Sequence, residues 1–122
     1  MTEAPLPKIE NFIIISDKNN KYSIQIYSHS NSYLNIYIKT IDKFPNIIFE
    51  DKFSLDTIKN NKYFYICENI SQVLITLEPI LKNKDNIKLL EETNELNLII
   101  NIPHPLCPEI IFKVKKKKKR FK

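Results

Sequence analysis

The side chains able to do chemistry are few and scattered. Histidine occurs at His29 and His104, cysteine at Cys67 and Cys107. Neither type recurs at the short spacing that announces a zinc site, so no metal site is expected. His104 and Cys107 are the one pair that could act as base and thiol nucleophile. Pro103, Pro105 and Pro108 restrict that loop, and no third group stands ready to orient the histidine. Glu91 and Glu92 read as a solvated turn at a strand end rather than an acid/base pair. Asp17, Asp42, Asp51, Asp56 and Asp85 fall at turns or caps, where aspartate serves the backbone. The chain has no glycine, which removes the phosphate-cradling loops of nucleotide enzymes. No catalytic or cofactor-binding residue emerges, no cofactor is implied, and the chain reads as a non-enzyme.

Two other features point to partners. The first is the basic run Lys115, Lys116, Lys117, Lys118, Lys119, Arg120 and Lys122. These seven are part of 19 Lys and Arg, leaving 12 against 14 Asp and Glu, a net of −2 for the body of a chain whose total is +5. The basic character therefore sits in residues 115–122. Such a run can bind nucleic-acid phosphates, an acidic protein surface or an import receptor; equally, it can be a solvated end that keeps a strand-rich chain soluble. The second is the loop from Pro103 to Pro108. Its prolines lower the entropy lost on binding, and Leu106 is an apolar side chain between them. Leu106 either projects as an interface anchor or folds back onto the core. The body shows no basic patch interleaved with exposed aromatics. Its tyrosines, at 22, 27, 33, 37, 63 and 65, read as sheet and bridge residues.

Those features need a frame, and 122 residues allow one domain with a sizeable core. Residues 1–10 read as a flexible lead-in, 11–114 as a single domain and 115–122 as a tail. The start shows no signal peptide, and no segment approaches the ~18 apolar residues of a membrane span. The cysteines read as reduced buried thiols, which suits a cytoplasmic or nuclear protein. With no glycine, turns fall to Asn, Asp, Ser and Pro, and Asn substitutes where φ must be positive.

Ile70, Val73, Leu74, Leu77, Ile80 and Leu81 recur at helical spacing, with Asn69 and Gln72 placed as a capping box. Pro79 within that period is expected to kink the last turn or end the regular helix early. Ser54 reads as the cap of a shorter helix over 55–60. Before them, a β-branched run at 12–15, alternation over 22–27 and 34–39, and residues 47–53 read as four strands. After them, 87–91, 95–102 and 109–115 read as three more. The expectation is an α+β domain: an antiparallel seven-stranded sheet or open barrel, with a short and a longer helix inserted between strands 4 and 5.

That order resembles the globular head shared by the centriolar cartwheel scaffold protein and the scaffolds of DNA end joining. The stretch Phe53-Ser-Leu-Asp-Thr-Ile-Lys-Asn-Asn-Lys-Tyr-Phe, the Glu68-Asn-Ile-Ser start of the helix, and the strand from Leu96 ending Ile-Ile-Asn-Ile-Pro-His-Pro also resemble heads that open coiled-coil proteins of unicellular eukaryotes. The resemblance covers roughly residues 12–116 and implies a non-enzymatic scaffold, associated with the cytoskeleton or centriole, that binds protein or itself. In cartwheel-type heads the loop between the sixth and seventh strands offers one apolar residue to a neighbouring head. The matching loop here is 102–109 and the matching residue Leu106. Its apex is leucine between prolines rather than an aromatic, and a basic run follows Lys115 where a heptad would begin. The alternative expectation is a small accessory protein of a nucleic-acid-containing particle, such as a ribonucleoprotein, anchored by its tail.

Overall fold

The computed structural model describes residues 9–29, 32–41, 45–103 and 108–117, with the side chains of 12–28, 32–41, 45–103 and 108–117. Strand β1 (Ile9–Ile15), β2 (Lys21–His29), β3 (Tyr33–Thr40) and β4 (Ile48–Ser54) come first. Helix α1 (Leu55–Lys59) and helix α2 (Ile70–Leu81) follow, with one 3-10 turn between them and another after α2. Strands β5 (Ile87–Glu91), β6 (Glu95–Asn101) and β7 (Glu109–Lys115) complete the described chain.

The α+β class and the helical insert between strands 4 and 5 are as the patterning predicts. The single seven-stranded sheet or open barrel is not. The strands form two antiparallel meanders, β1-β2-β3-β4 and β5-β6-β7. Among the described residues their edges meet at separate points, such as Phe49 of β4, which bridges Lys116, and the Asp17 N–H, which donates to the Leu89 carbonyl at 3.0 Å. Alternation states which face of a strand is apolar; it does not state which edges share a ladder.

Within each meander the register places the apolar alternates on one face. Ile24 pairs with Ile38 and Ile26 with Ile36, and all four are fully buried. On the second sheet Leu98 pairs with Leu89 and Phe112. Both inner faces feed one hydrophobic cluster. Helix α2 contacts β2 of one sheet and β6 of the other, and its six stripe residues are all buried. One amphipathic helix therefore serves both sheets.

Local chemistry sets the ends of the elements. Ser54 accepts from the Thr57 N–H at 3.2 Å. Asn69 accepts from the Gln72 N–H at 2.9 Å, and Gln72 reaches back to the Glu68 N–H at 2.6 Å. This is the reciprocal cap the sequence announces, shifted by one residue on its return arm. Pro79 does not end α2, which continues to Leu81, with the Lys82 N–H reaching the Glu78 carbonyl at 3.2 Å. The carbonyl that Pro79 deprives of a partner belongs to Ile75, an exposed residue, so water can serve it. Asn19 takes φ 64° in the β1–β2 turn, where a glycine-free chain needs an asparagine.

Candidate interaction surfaces

The loop between β6 and β7 is closed at its base. The Ile102 N–H donates to the Pro108 carbonyl at 2.9 Å. Ile102 is buried, whereas Pro103 and Pro108 are exposed. The Asn61 side chain donates to the Glu109 carbonyl at 3.0 Å and ties the loop's return to the helical insert. Pro105 and Leu106, with His104 and Cys107, lie outside the described residues. Cys67 is a buried free thiol. Burial pushes its pKa up against smaller opposing effects from Thr76 and Lys59, so it is a poor nucleophile.

The basic run does not leave the fold at Lys115. Lys116 bridges Phe49, and the Lys117 N–H donates to the Ile48 carbonyl at 2.8 Å. The Lys117 ammonium reaches Glu50 at 3.0 Å. Burial raises the Glu50 carboxyl, but hydrogen bonds from Lys117 and Asn35 outweigh it and hold the group below its usual range. Lys117 is raised, mainly by its hydrogen bond to Glu50. Lys115 and Lys116 are exposed. Lys118, Lys119, Arg120 and Lys122 lie outside the described residues.

Glu91 is not part of a solvated turn. Its carboxylate accepts the Ser16 hydroxyl and the Asn20 amide, the latter at 2.6 Å. Its N–H donates to Asp17 Oδ1 at 3.0 Å. The pairing of hydroxyl and carboxylate has the look of an activated nucleophile. However, Ser16 is buried and its oxygen already accepts from the N–H groups of Lys18 and Asn20. Both lone pairs of the Ser16 oxygen are therefore engaged, and the cluster joins the β1–β2 turn to β5. Among the described residues no group of His, Cys, Asp and Glu could hold a metal ion.

The tyrosines of the first sheet are strand residues, as the sequence predicts, and divide between its two faces. Tyr22 is in the core, but Tyr27, Tyr33 and Tyr37 are not. Tyr27 pairs with Asn35, so Tyr33 and Tyr37 are its two diagonal neighbours on β3. Lys52 also pairs with Asn35 and is diagonal to both Tyr33 and Tyr37. Lys39 follows Tyr37 on the same face, and Lys117 arrives beside Glu50, which pairs with Tyr37. The Asn35 amide, buried beneath, donates to the Tyr27 hydroxyl and to Glu50, the latter at 3.1 Å. Alternation alone puts Tyr27 and Tyr37 opposite the isoleucines. Only the cross-strand register gathers them with lysines.

Comparison with protein families, with curated proteins and with solved structures finds no match to this chain.

Proposed function

We propose that the chain is a non-enzymatic scaffold head that works by protein–protein contact, including contact with a second copy of itself. The observation that carries this reading is the clamp between Ile102 and Pro108. It joins the two ends of a loop that carries Pro103, Pro105 and Pro108, and proline's fixed φ lowers the order lost when such a loop meets a partner. Pro103, Pro105 and Pro108 hold the loop, and Leu106 supplies the apolar contact. The outer face of the second sheet supports association as well: Ile99 pairs with Ile111, which is 47% exposed. A cytoplasmic setting on a cytoskeletal or centriolar assembly accords with such a head.

The test is sedimentation equilibrium over a wide concentration range on the full chain and on Leu106→Glu. Self-association that Leu106→Glu abolishes, with the thermal transition unchanged, is the expected result. Identical assembly of the two proteins would refute the role of Leu106.

A second reading rests on a separate observation. Lys115 and Lys116 are exposed, and Lys117 is held at the edge of the first sheet, where Glu50 is the one carboxylate it meets among the described residues. Lys115–Lys119, Arg120 and Lys122 then form a polyanion-binding anchor for an accessory role in a nucleic-acid-containing particle.

A further inference from the structure

We infer that the outer face of the β1-β2-β3-β4 sheet is a binding surface for single-stranded nucleic acid, with Tyr27, Tyr33 and Tyr37 stacking bases and Lys39, Lys52 and Lys117 taking the phosphates. It deepens the second reading by adding a base-contacting surface to the tail's phosphate contacts.

The geometry is the first support. Diagonal neighbours on adjacent strands lie about 7–8 Å apart, and the Tyr27 ring leans over Asn35, whose amide donates to its hydroxyl. Tyr27 is diagonal to both Tyr33 and Tyr37, so the three positions form a zigzag across β2 and β3. A nucleic acid strand with unstacked bases can place successive bases on such a row. A duplex cannot, because its base faces are already covered.

Charge is the second support. Lys52 lies beside two of the three rings by register, and Lys39 is next along β3. Lys117 reaches Glu50, which pairs with Tyr37. Among the described residues the carboxylate in their midst, Glu50, is already held by Lys117 and Asn35. What remains is net positive, with hydroxyl-bearing rings between the charges. Basic groups that track a backbone, with aromatic rings for the bases, are what sequence-tolerant recognition of single strands requires. The fixed position of Lys117 links this face to the basic run. In the sequence, residues 118–122 follow Lys117 and carry four further cations.

The test uses the full chain and a dye-labelled oligouridylate, read by fluorescence anisotropy at near-physiological salt. The comparison ligand is an abasic oligomer of equal length, which keeps the phosphates and removes the bases. Oligouridylate is expected to bind more tightly than the abasic oligomer. Tyr33→Ala and Tyr37→Ala are each expected to weaken its binding roughly 5- to 150-fold, and Tyr27→Phe to have little effect because the ring is retained. Ending the chain at Lys117 is expected to lower the log–log salt slope by about 3, from ~0.7 per neutralised phosphate, while keeping the preference for bases.

Equal affinity for the two oligomers, or undiminished binding by both alanine variants, would overturn the inference and leave only a polyelectrolyte tail. Binding to phosphatidylserine vesicles without binding to oligouridylate would overturn it too. If Tyr37→Ala fails to fold, Tyr33→Ala together with the NMR shifts that oligouridylate induces in the wild-type chain decides the matter. Shifts confined to residues 115–122 would overturn the inference, and shifts centred on Tyr27 and Tyr37 would sustain it. Sedimentation of Leu106→Glu and anisotropy with oligouridylate read different properties, so the fate of the self-association reading is separable from this one.

Discussion

Ser16 donates its hydroxyl to Glu91 across 75 residues of sequence, joining the turn after β1 to the end of β5. With the Asp17 N–H to Leu89 carbonyl bond, it fastens one edge of the four-stranded sheet to one edge of the three-stranded sheet. The opposite edges are joined where Phe49 meets Lys116 and Ile48 meets Lys117. The two sheets are separate ladders closed around a common core by a few polar contacts at their margins.

The first margin should be costly to lose. Ser16→Ala removes a buried donor to Glu91 and leaves the N–H groups of Lys18 and Asn20 without their side-chain acceptor. A loss of about 1–3 kcal/mol is expected, the range for stranding buried polar groups. Urea unfolding with the denaturant slope unchanged is the measurement. A loss below a few tenths would mean that water replaces the hydroxyl freely.

The same margin responds to alkali. Tyr22 lies against Glu91, and its pKa is raised by burial first and then by Glu91 and Asp17. At pH values below the ordinary tyrosine pKa of ~10 the group is protonated whether folded or unfolded, and its contribution is complete. As pH rises past that value the unfolded chain ionises while the folded one resists, so stability falls until the folded pKa is passed. Tyr22→Phe is expected to flatten this alkaline limb, read as urea midpoint against pH. A limb of unchanged steepness would place the titration elsewhere.

The opposite margin responds to acid. The Glu50 carboxyl lies below its usual range, so its contribution is present above the ordinary carboxylate pKa and fades as pH falls through the folded value. Glu50→Gln is expected to flatten the acid limb and to free Lys117 from the sheet edge. Exchange of the Lys117 amide, bonded to Ile48, should then quicken. Protection equal to wild type would show that the backbone bond needs no help from the ion pair.

The helix that serves both sheets carries the largest single penalties. Leu74 is fully buried on α2. Leu74→Ala is expected to destabilise the domain by roughly 2–5 kcal/mol through lost burial and a residual cavity. Asn69→Ala, which removes the cap on the Gln72 N–H, is expected to lose about 1 kcal/mol. Both are read from chemical denaturation, and a cap variant more damaging than the core variant would contradict the burial pattern.

Much of this protein is local and was legible in the order of its residues. A period of two in β2 and β3 assigns Ile24, Ile26, Leu34, Ile36 and Ile38 to one face, because adjacent side chains on a strand point oppositely. The stripe on α2 and its Asn69 cap are likewise local, since each depends on residues within one or two turns. Pro79 marks where a local rule was overruled: packing of Ile80 and Leu81 against the core retains the last turn despite a missing backbone bond. What the tertiary structure alone decided is long-range. The division into two ladders, the role of Glu91 as a cross-sheet acceptor and the meeting of Lys117 with Glu50 all join residues far apart in the chain. So does the gathering of Tyr27, Tyr33 and Tyr37 beside Lys52, which depends on the registers of β2 with β3 and β3 with β4. No periodicity within one strand encodes its alignment with the next, because register is chosen by the summed fit of the whole buried face.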